Sequence, residues 1–413
     1  MNPPRAGAEK MREILKTWPG AAKAFFGRLR FHAAKVLAAF RTCVGQNRKL
    51  RLGLAALAVL FVVGIVFAAV FSETLGRHYR AISASGQGVP LPADMRRAAA
   101  EKAKQLASAL DARIDRRGKF AGEAWISAQV LVALKENDDP IRIGARSIEQ
   151  HFRSVEGPEC ACWRRLPRGE FPNHVGVTSW VLWALARYGI PAQKGELEFL
   201  LSTQDREGGW PLFAGAQQEK FASSYATAAA LLALHEQSTL KANRAQQARL
   251  AAAARRGADW LKSRVTPGRA RWADYPAWAD AGQRGEFLGL SGFVLFALHR
   301  VGAPELAALD RDWLNQLPPE APAARESGVS RKTVQIGRRS YRDDTRYTAL
   351  PWAILATTAA YPGASISEKV RAMEWLERAL APGASVHALT GKERNPTIAA
   401  EALLALGSEA LRE

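Results

Sequence analysis

Six apolar segments, about fifty residues apart, constrain the fold of this 413-residue chain more than any other feature. Each starts with a Ser or Thr and closes on a Leu seven residues later. They span residues 127–134, 178–185, 227–234, 291–298, 348–355 and, less cleanly, 397–404. Because these segments are apolar almost all round, they predict helices that are buried on both sides.

Six more polar, amphipathic segments alternate with the apolar ones, at residues 94–112, 141–154, 194–204, 246–264, 304–316 and 366–380. The alternation predicts an all-α fold, an α6/α6 toroid in which a barrel of six inner helices is surrounded by six outer helices. A linear solenoid of helix pairs is the alternative, because repeats alone do not show that a ring closes. The one irregular insertion, residues 318–342, is compatible with a short hairpin around 333–336.

The clearest copy of the repeat is the run from Lys194 to Trp210, which reads as the end of one helix and the turn to the next. Gly208 and Gly209 permit a backbone that larger residues would resist. We infer that Gln204 and Trp210 close this turn, the amide by bonding free backbone groups and the indole by packing over the junction. The other repeats offer Phe120, Trp163 and Trp272 in the position of Trp210.

This run resembles the repeat of squalene cyclases and their relatives, and residues 95–410 resemble the α/α toroids of terpenoid cyclases and protein prenyltransferases. The resemblance implies a single toroid with a cavity suited to an isoprenoid. The run Tyr341-Arg-Asp343-Asp344-Thr345 is similar to the Asp-x-Asp-Asp-Thr motif of squalene-hopene cyclases, with Tyr341 in place of the first Asp. That likeness implies Asp343 as a general acid, whereas the residues alone are equally compatible with Asp343 and Asp344 capping a buried helix. The acidic motif is thus incomplete, and enzymatic activity stays open.

In a toroid the inner helices begin at one end of the barrel, where free N–H groups and helix dipoles favour anions. The candidate catalytic residues at this end are Asp343, Asp344 and Glu123. The candidate ligand-binding residues are His174, Tyr225, Trp180 and Tyr347, together with Arg338, Arg339 and Arg342 of the basic insertion. These arginines could grip a phosphate or carboxylate, or they could form a solvated loop.

Cys160, Cys162 and His174 are of the ligand types that suit zinc. The two thiols could instead form a disulfide or stay unpaired. The sequence identifies no cofactor.

Residues 1–51 carry twelve Lys or Arg against two Glu, and residues 52–71 are free of charge. At ~1.5 Å per residue, the uncharged run is long enough to cross the ~30 Å hydrocarbon core of a bilayer. We therefore expect a basic cytoplasmic segment, a transmembrane helix over 52–71, a linker over 72–92 and the toroid over 93–413. The predicted location is a bacterial inner membrane, with the N-terminus cytoplasmic and the C-terminal domain periplasmic.

Three functions are compatible with these features. The first is a membrane-anchored toroid that binds an isoprenoid or polyprenyl-phosphate lipid, with or without modifying it. The second is a glycan-active (α/α)6 enzyme with Glu123 and Asp343 or Asp344 as acid and base. The third is a non-catalytic subunit of a cell-envelope complex. The expected partners are membrane lipid or an anionic lipid-linked substrate, and envelope proteins; nucleic acid is excluded by the predicted location.

Overall fold

Helices alternate between an inner and an outer ring along the computed structural model. In chain order the elements are α1 (Ala93–Asp111), α2 (Ala124–Glu136), α3 (Ala145–Ser154), β1 (Asn173–His174), α4 (Val175–Arg187), α5 (Lys194–Thr203), β2 (Phe213–Ala214), α6 (Ser224–Thr239), α7 (Gln247–Ser263), α8 (Leu288–Arg300), α9 (Ala307–Asn315), β3 (Ser327–Ile336), β4 (Arg339–Thr348), α10 (Ala349–Ala360), α11 (Ile366–Leu380), α12 (Pro396–Leu406) and the short α13 (Glu409–Arg412). The structure describes residues 76–77, 80–81, 88–114, 124–137, 145–154, 163, 173–214, 222–274, 286–320, 327–336, 339–381 and 396–412. It describes the backbone alone at 145–146, 151, 153–154, 173, 327–336, 339–347, 409 and 412.

The six inner helices form a closed ring. Each even-numbered helix from α2 to α12 packs against the next, and α12 packs back against α2. The Asn137 side chain, just after α2, donates to the Leu403 carbonyl of α12 at 3.1 Å and so joins positions 266 residues apart. The odd-numbered helices α1 to α11 lie outside this ring. The predicted all-α toroid is confirmed, and the linear solenoid is excluded.

A repeated junction explains why three of the inner helices, α4, α6 and α8, carry a Ser or Thr and why a Trp precedes each of them. In three repeats the Trp backbone N–H donates to that hydroxyl, while the indole N–H donates to a carbonyl of the preceding outer helix. The backbone bonds are Trp163–Thr178 at 3.0 Å, Trp210–Thr227 at 2.9 Å and Trp272–Ser291 at 3.1 Å, and the indole acceptors are Phe152, Leu200 and Leu261. All three tryptophans are buried, so the junction satisfies backbone groups that would otherwise lie unpaired in the core.

The turn after α5 shows the predicted roles of its residues. The Gln204 amide donates to the Gly208 carbonyl and to the Ala253 carbonyl of α7, both at 2.9 Å. Gly208 has φ +107°, which favours glycine. A Cβ at Gly209 would lie 2.3 Å from that of Ala222, so this turn has no room for a side chain. Gln204 therefore bridges two outer helices as well as closing the turn.

The irregular insertion forms an antiparallel hairpin of β3 and β4, longer than the predicted one around residues 333–336. Strand β4 runs directly into α10, whose N-cap is Thr348. A second, two-residue ladder pairs β1 with β2 and holds the entrance of α4 against the turn before α6.

Alternating charges join the ends of four neighbouring inner helices. Arg187 of α4 bridges Glu136 of α2 at 2.8 Å and Glu236 of α6 at 3.3 Å. Arg300 of α8 closes the cycle, at 3.1 Å from Glu136 and 3.0 Å from Glu236. Both arginines lie at helix C-termini, where a cation also interacts favourably with the helix dipole. We call this end of the barrel the floor and the opposite end, where the inner helices begin, the mouth.

The prediction of a membrane-spanning protein needs correction. Within the part of the chain that the structure describes, no helix combines the length and apolar character needed to cross a bilayer. The predicted segments 1–51 and 52–71 lie outside the described residues. The inner-membrane and periplasmic location therefore has no support among the described helices and is corrected.

A candidate functional site inside the barrel

An aromatic cluster fills the centre of the inner ring. Trp180 of α4 stacks on Phe293 of α8, with ring centroids 5.9 Å apart, and lies 4.8 Å from Trp183. Trp352 of α10 lies 4.6 Å from Phe293 and 6.4 Å from Trp180. These four side chains are at most 3% exposed. Much of the interior that the sequence assigned to a cavity is therefore packed aromatic core.

Tyr225 connects the cluster to the mouth. It is the second residue of α6, it is half-buried, and its ring lies 5.5 Å from Phe293. Its hydroxyl accepts a 2.8 Å hydrogen bond from the Trp180 indole N–H. The structure thus brings together Trp180 and Tyr225, two of the predicted ligand-binding residues, and the half-buried Tyr225 ring is the one of the two that a sugar ring or an apolar chain can reach.

Glu401 places a carboxyl group beside this cluster. It lies on α12, is 4% exposed and receives a hydrogen bond from the Trp352 side chain. Burial raises the pKa of Glu401 to about 8, and the Trp352 hydrogen bond offsets only part of that rise. The acid therefore holds its proton at neutral pH. Sequence reasoning missed Glu401, although a single acid in a helix predicted to be buried on every side was a usable signal.

A second acid missed by sequence reasoning lies at the N-terminus of α6. The Asp274 carboxylate accepts from the Ser223 hydroxyl at 2.6 Å and from the Tyr225 backbone N–H at 3.2 Å. The Ser223 hydroxyl in turn accepts from the Ala226 N–H, as an N-cap does. Because the Asp274 side chain is buried in these contacts, its arrangement is that of a helix cap.

His174 is also part of a helix cap. Its Nδ1 accepts from the Val177 N–H of α4 at 3.2 Å, and its ring packs edge-on against Phe213. Cys160 and Cys162 lie outside the described residues, so their metal, disulfide or unpaired state stays a prediction. Among the residues that the structure does describe, no group of three or more His, Cys, Asp or Glu side chains could hold a metal ion.

The predicted acidic pair lies on a strand. Asp343 and Asp344 belong to β4, in backbone register with Lys332 and Arg331 of β3. The alternative in which the two aspartates cap a helix is wrong, because α10 begins after Thr348.

The other predicted residues of this end are described in part or not at all. Arg339, Arg342 and Tyr347 lie on β4 with their backbone described, and Glu123 and Arg338 lie outside the described residues. Their roles, like the partners expected from the sequence, stay predictions.

A separate cavity of about 310 Å³ lies between the start of α1 and the end of α12, at the floor end of the inner ring. Arg96, Arg97, Leu406 and Leu411 are among its lining residues. This cavity is remote from the aromatic cluster, because the only residue of α12 that lines it is Leu406, the last residue of the helix.

Several solved structures share this architecture, among them two variants of one enzyme. An inactive variant of the α-1,6-mannanase GH76A of Salegentibacter sp. HEL1_6, in complex with α-1,6-mannotriose, is 13% identical, with a TM-score of 0.51 over 76% of this chain and 100% of that one. A second inactive variant of the same mannanase, with α-1,6-mannotetrose, is 12% identical, with a TM-score of 0.50 over 76% of this chain and 99% of that one. No protein-family model matches the chain, and no curated protein sequence does.

These comparisons correct the family expected from the sequence. These two neighbours are variants of a glycoside hydrolase family 76 enzyme with an α/α toroid, and the resemblance to terpenoid cyclases and prenyltransferases is wrong. At this level of identity the likeness establishes the fold alone. The hypothesis of an isoprenoid-binding toroid drew on the cyclase resemblance and is not supported.

Proposed function

We propose that the chain is a glycan-active (α/α)6 enzyme that cleaves a glycosidic bond at the mouth of the barrel. The observation that carries the proposal is the aromatic cluster, which ends in the half-buried Tyr225 at the start of α6. Aromatic faces bind sugar rings, and glycoside cleavage requires a pair of carboxyl groups, for which Asp343, Asp344 and Glu123 are the candidates. The shared architecture with a mannanase that binds mannotriose supports the proposal at the level of the fold.

The ring order supports a concentration of carboxyl groups at one sector of the mouth. Helix α12 lies between α10 and α2. Glu123 immediately precedes α2, and Asp343 and Asp344 lie on the strand that leads into α10. All three candidates of the predicted acid and base pair therefore belong to segments that flank α12. Hydrolysis needs two such carboxyl groups, about 5 to 9.5 Å apart according to mechanism.

The direct test is to incubate the protein with a panel of neutral polysaccharides that includes α-1,6-mannan, and to measure hydrolysis as the release of reducing ends. Asp343→Asn, Asp344→Asn and Glu123→Gln should each be assayed with circular dichroism to check folding. We expect turnover to fall by about 100-fold or more in each variant that lacks the catalytic acid or base. Glu101→Gln, the same chemical change on the exposed face of α1, serves as the matched control. A wild-type protein that releases no reducing ends from any member of the panel would refute the proposal.

A further inference from the structure

The aromatic cluster identifies the side of each inner helix that faces the interior of the barrel. Trp180 and Phe293 stack on each other across the ring, and each lies two residues after the shared Ser or Thr of its helix. Side chains four residues apart lie on the same face of a helix, so the residue two before the Ser or Thr faces the interior at the mouth. At that position α2 carries Trp125, α4 carries Gly176, α6 carries Tyr225 and α8 carries Gly289.

The Tyr225 ring is held in one orientation at this position. Its hydroxyl accepts the 2.8 Å hydrogen bond from the Trp180 indole, and its centroid lies 5.5 Å from that of Phe293. The ring also packs against the first turn of α4, where a Cβ added to Gly176 would lie only 3.1 Å from the Tyr225 Cε1. Because the ring is fixed by these contacts and is still half-buried, it can stack on a ligand with little further loss of side-chain entropy.

Trp125 provides a second aromatic surface at the same position of the repeat. It is the second residue of α2, as Tyr225 is of α6, and it is also half-buried, packing in part against the core. Helix α4 lies between α2 and α6 in the ring, and Gly176 places no side chain between the two aromatic residues. Since neighbouring helices pack ~8–10 Å apart, the axes of α2 and α6 in a ring of six are ~14–17 Å apart. A ligand that contacts both residues is therefore an extended one.

The surroundings of the two residues favour a neutral sugar chain. Trp180 and Phe293, the next residues down the barrel, are each 1% exposed, so a ligand lies on the rim and does not enter the core. An isoprenoid needs an enclosed apolar cavity to leave water, whereas a pyranose ring stacks one apolar face on an aromatic ring and keeps its hydroxyl groups in solvent. Neither aromatic residue is charged, and the glycine between them offers no charge either. An anionic sugar therefore gains nothing from these residues over a neutral one.

We propose that Trp125 and Tyr225 are two sugar-binding subsites for a neutral polysaccharide that lies across the α2, α4 and α6 side of the mouth. The inference rests on the proposed function and names how its substrate is held. Trp125 stacks on one pyranose ring of the chain and Tyr225 stacks on another. Both residues position the chain, and neither takes part in bond cleavage. Because the two contacts belong to one ligand, the site favours long chains over single sugars.

Affinity electrophoresis in gels that contain each polysaccharide of the panel measures binding separately from hydrolysis. Trp125→Leu and Tyr225→Leu keep an apolar side chain but remove the flat ring, and we expect each to weaken binding by about 10-fold or more. Trp125→Phe and Tyr225→Phe keep a flat ring and should bind within about 3-fold of the wild type. Tyr188→Leu makes the same change at the floor end of α4 and is the matched control, which should bind like the wild type.

A measurement on the wild-type protein covers the case in which a variant fails to fold. A saturating amount of the polysaccharide that is bound most tightly should protect Trp125 from oxidation by N-bromosuccinimide, as read by mass spectrometry of its peptide. Three results would each overturn the inference and leave the proposed function standing: Leu variants that bind like the wild type, Phe variants as weak as the Leu variants, or an unprotected Trp125.

The two proposals fail in different ways. A wild-type protein that binds a polysaccharide through these residues and hydrolyses none would overturn the proposed function alone. A wild-type protein that neither binds nor hydrolyses any member of the panel would overturn both.

Discussion

Glu401 should make the stability of the protein fall as the pH rises. Its pKa is raised from the ordinary value of 4.5 to about 8 by burial. Between these two values the unfolded chain releases a proton that the folded protein keeps, so the free energy of unfolding decreases by ~1.4 kcal/mol per pH unit. This contribution is complete below pH 4.5 and is lost progressively up to about pH 8. From pH 5 to pH 8 it amounts to about 4 kcal/mol.

Glu401→Gln removes this titration without removing the side chain. Other ionisable groups affect the wild type and the variant alike, so they cancel in the difference between the two. We expect that difference in the free energy of unfolding to grow by about 4 kcal/mol in favour of the variant between pH 5 and pH 8. Urea unfolding followed by circular dichroism at several pH values measures it, and the exposed Glu101→Gln variant should follow the wild type. Wild-type and Glu401→Gln curves that stay parallel across this range would refute the reasoning.

Three further predictions concern the scaffold and can be checked by the same urea unfolding. Thr227→Val removes the acceptor of the buried Trp210 N–H and should cost about 1 to 3 kcal/mol, whereas no loss would show that the junction is dispensable. Arg300→Met leaves Glu236, only 9% exposed, with one ion-pair partner fewer. We expect a loss of about 1 to 3 kcal/mol that persists in 0.5 M salt, and a loss abolished by salt would contradict the burial of Glu236. Gly209→Ala inserts a Cβ 2.3 Å from that of Ala222 and should cost about 1 to 3 kcal/mol or more, and an unchanged urea midpoint would show that the turn adjusts without cost.

The sequence predicted the scaffold well, because the scaffold is built from local periodicities. The apolar run 178–185 falls within α4, and the outer segment 366–380 coincides with α11. The role inferred for Gln204 and Trp210 was also correct, since turn closure depends on residues that are near one another in sequence.

The local nature of the repeat motif also explains why the sequence resembled the wrong family. The junction that Trp210 makes with Thr227 and Leu200 solves a problem of helix packing, namely how to satisfy backbone groups between two rings. Any α/α toroid faces that problem, whatever its chemistry. A motif of this kind therefore identifies the architecture and is uninformative about the substrate.

The site was harder to predict because it depends on contacts between distant repeats. The sequence allowed Asp343 and Asp344 to be helix caps as well as acids, and the structure excludes the caps because both residues lie within β4. The importance of Glu401 depends on Trp352, which belongs to the preceding repeat, and on burial from every side. Hydrophobic periodicity shows that α12 is buried, but it does not show which neighbour supplies a hydrogen bond.

The closure of the ring by α12 against α2 has a consequence for synthesis of the chain. The hydrogen bond from Asn137 to Leu403 can form only after 266 more residues have been synthesised. At 5 to 20 residues per second a ribosome needs roughly 15 to 50 s for this. During that interval the side of α2 that later packs against α12 has no permanent cover. Nascent chains of this protein should therefore bind chaperones through their first inner helix, and they should release them only when the last inner helix emerges.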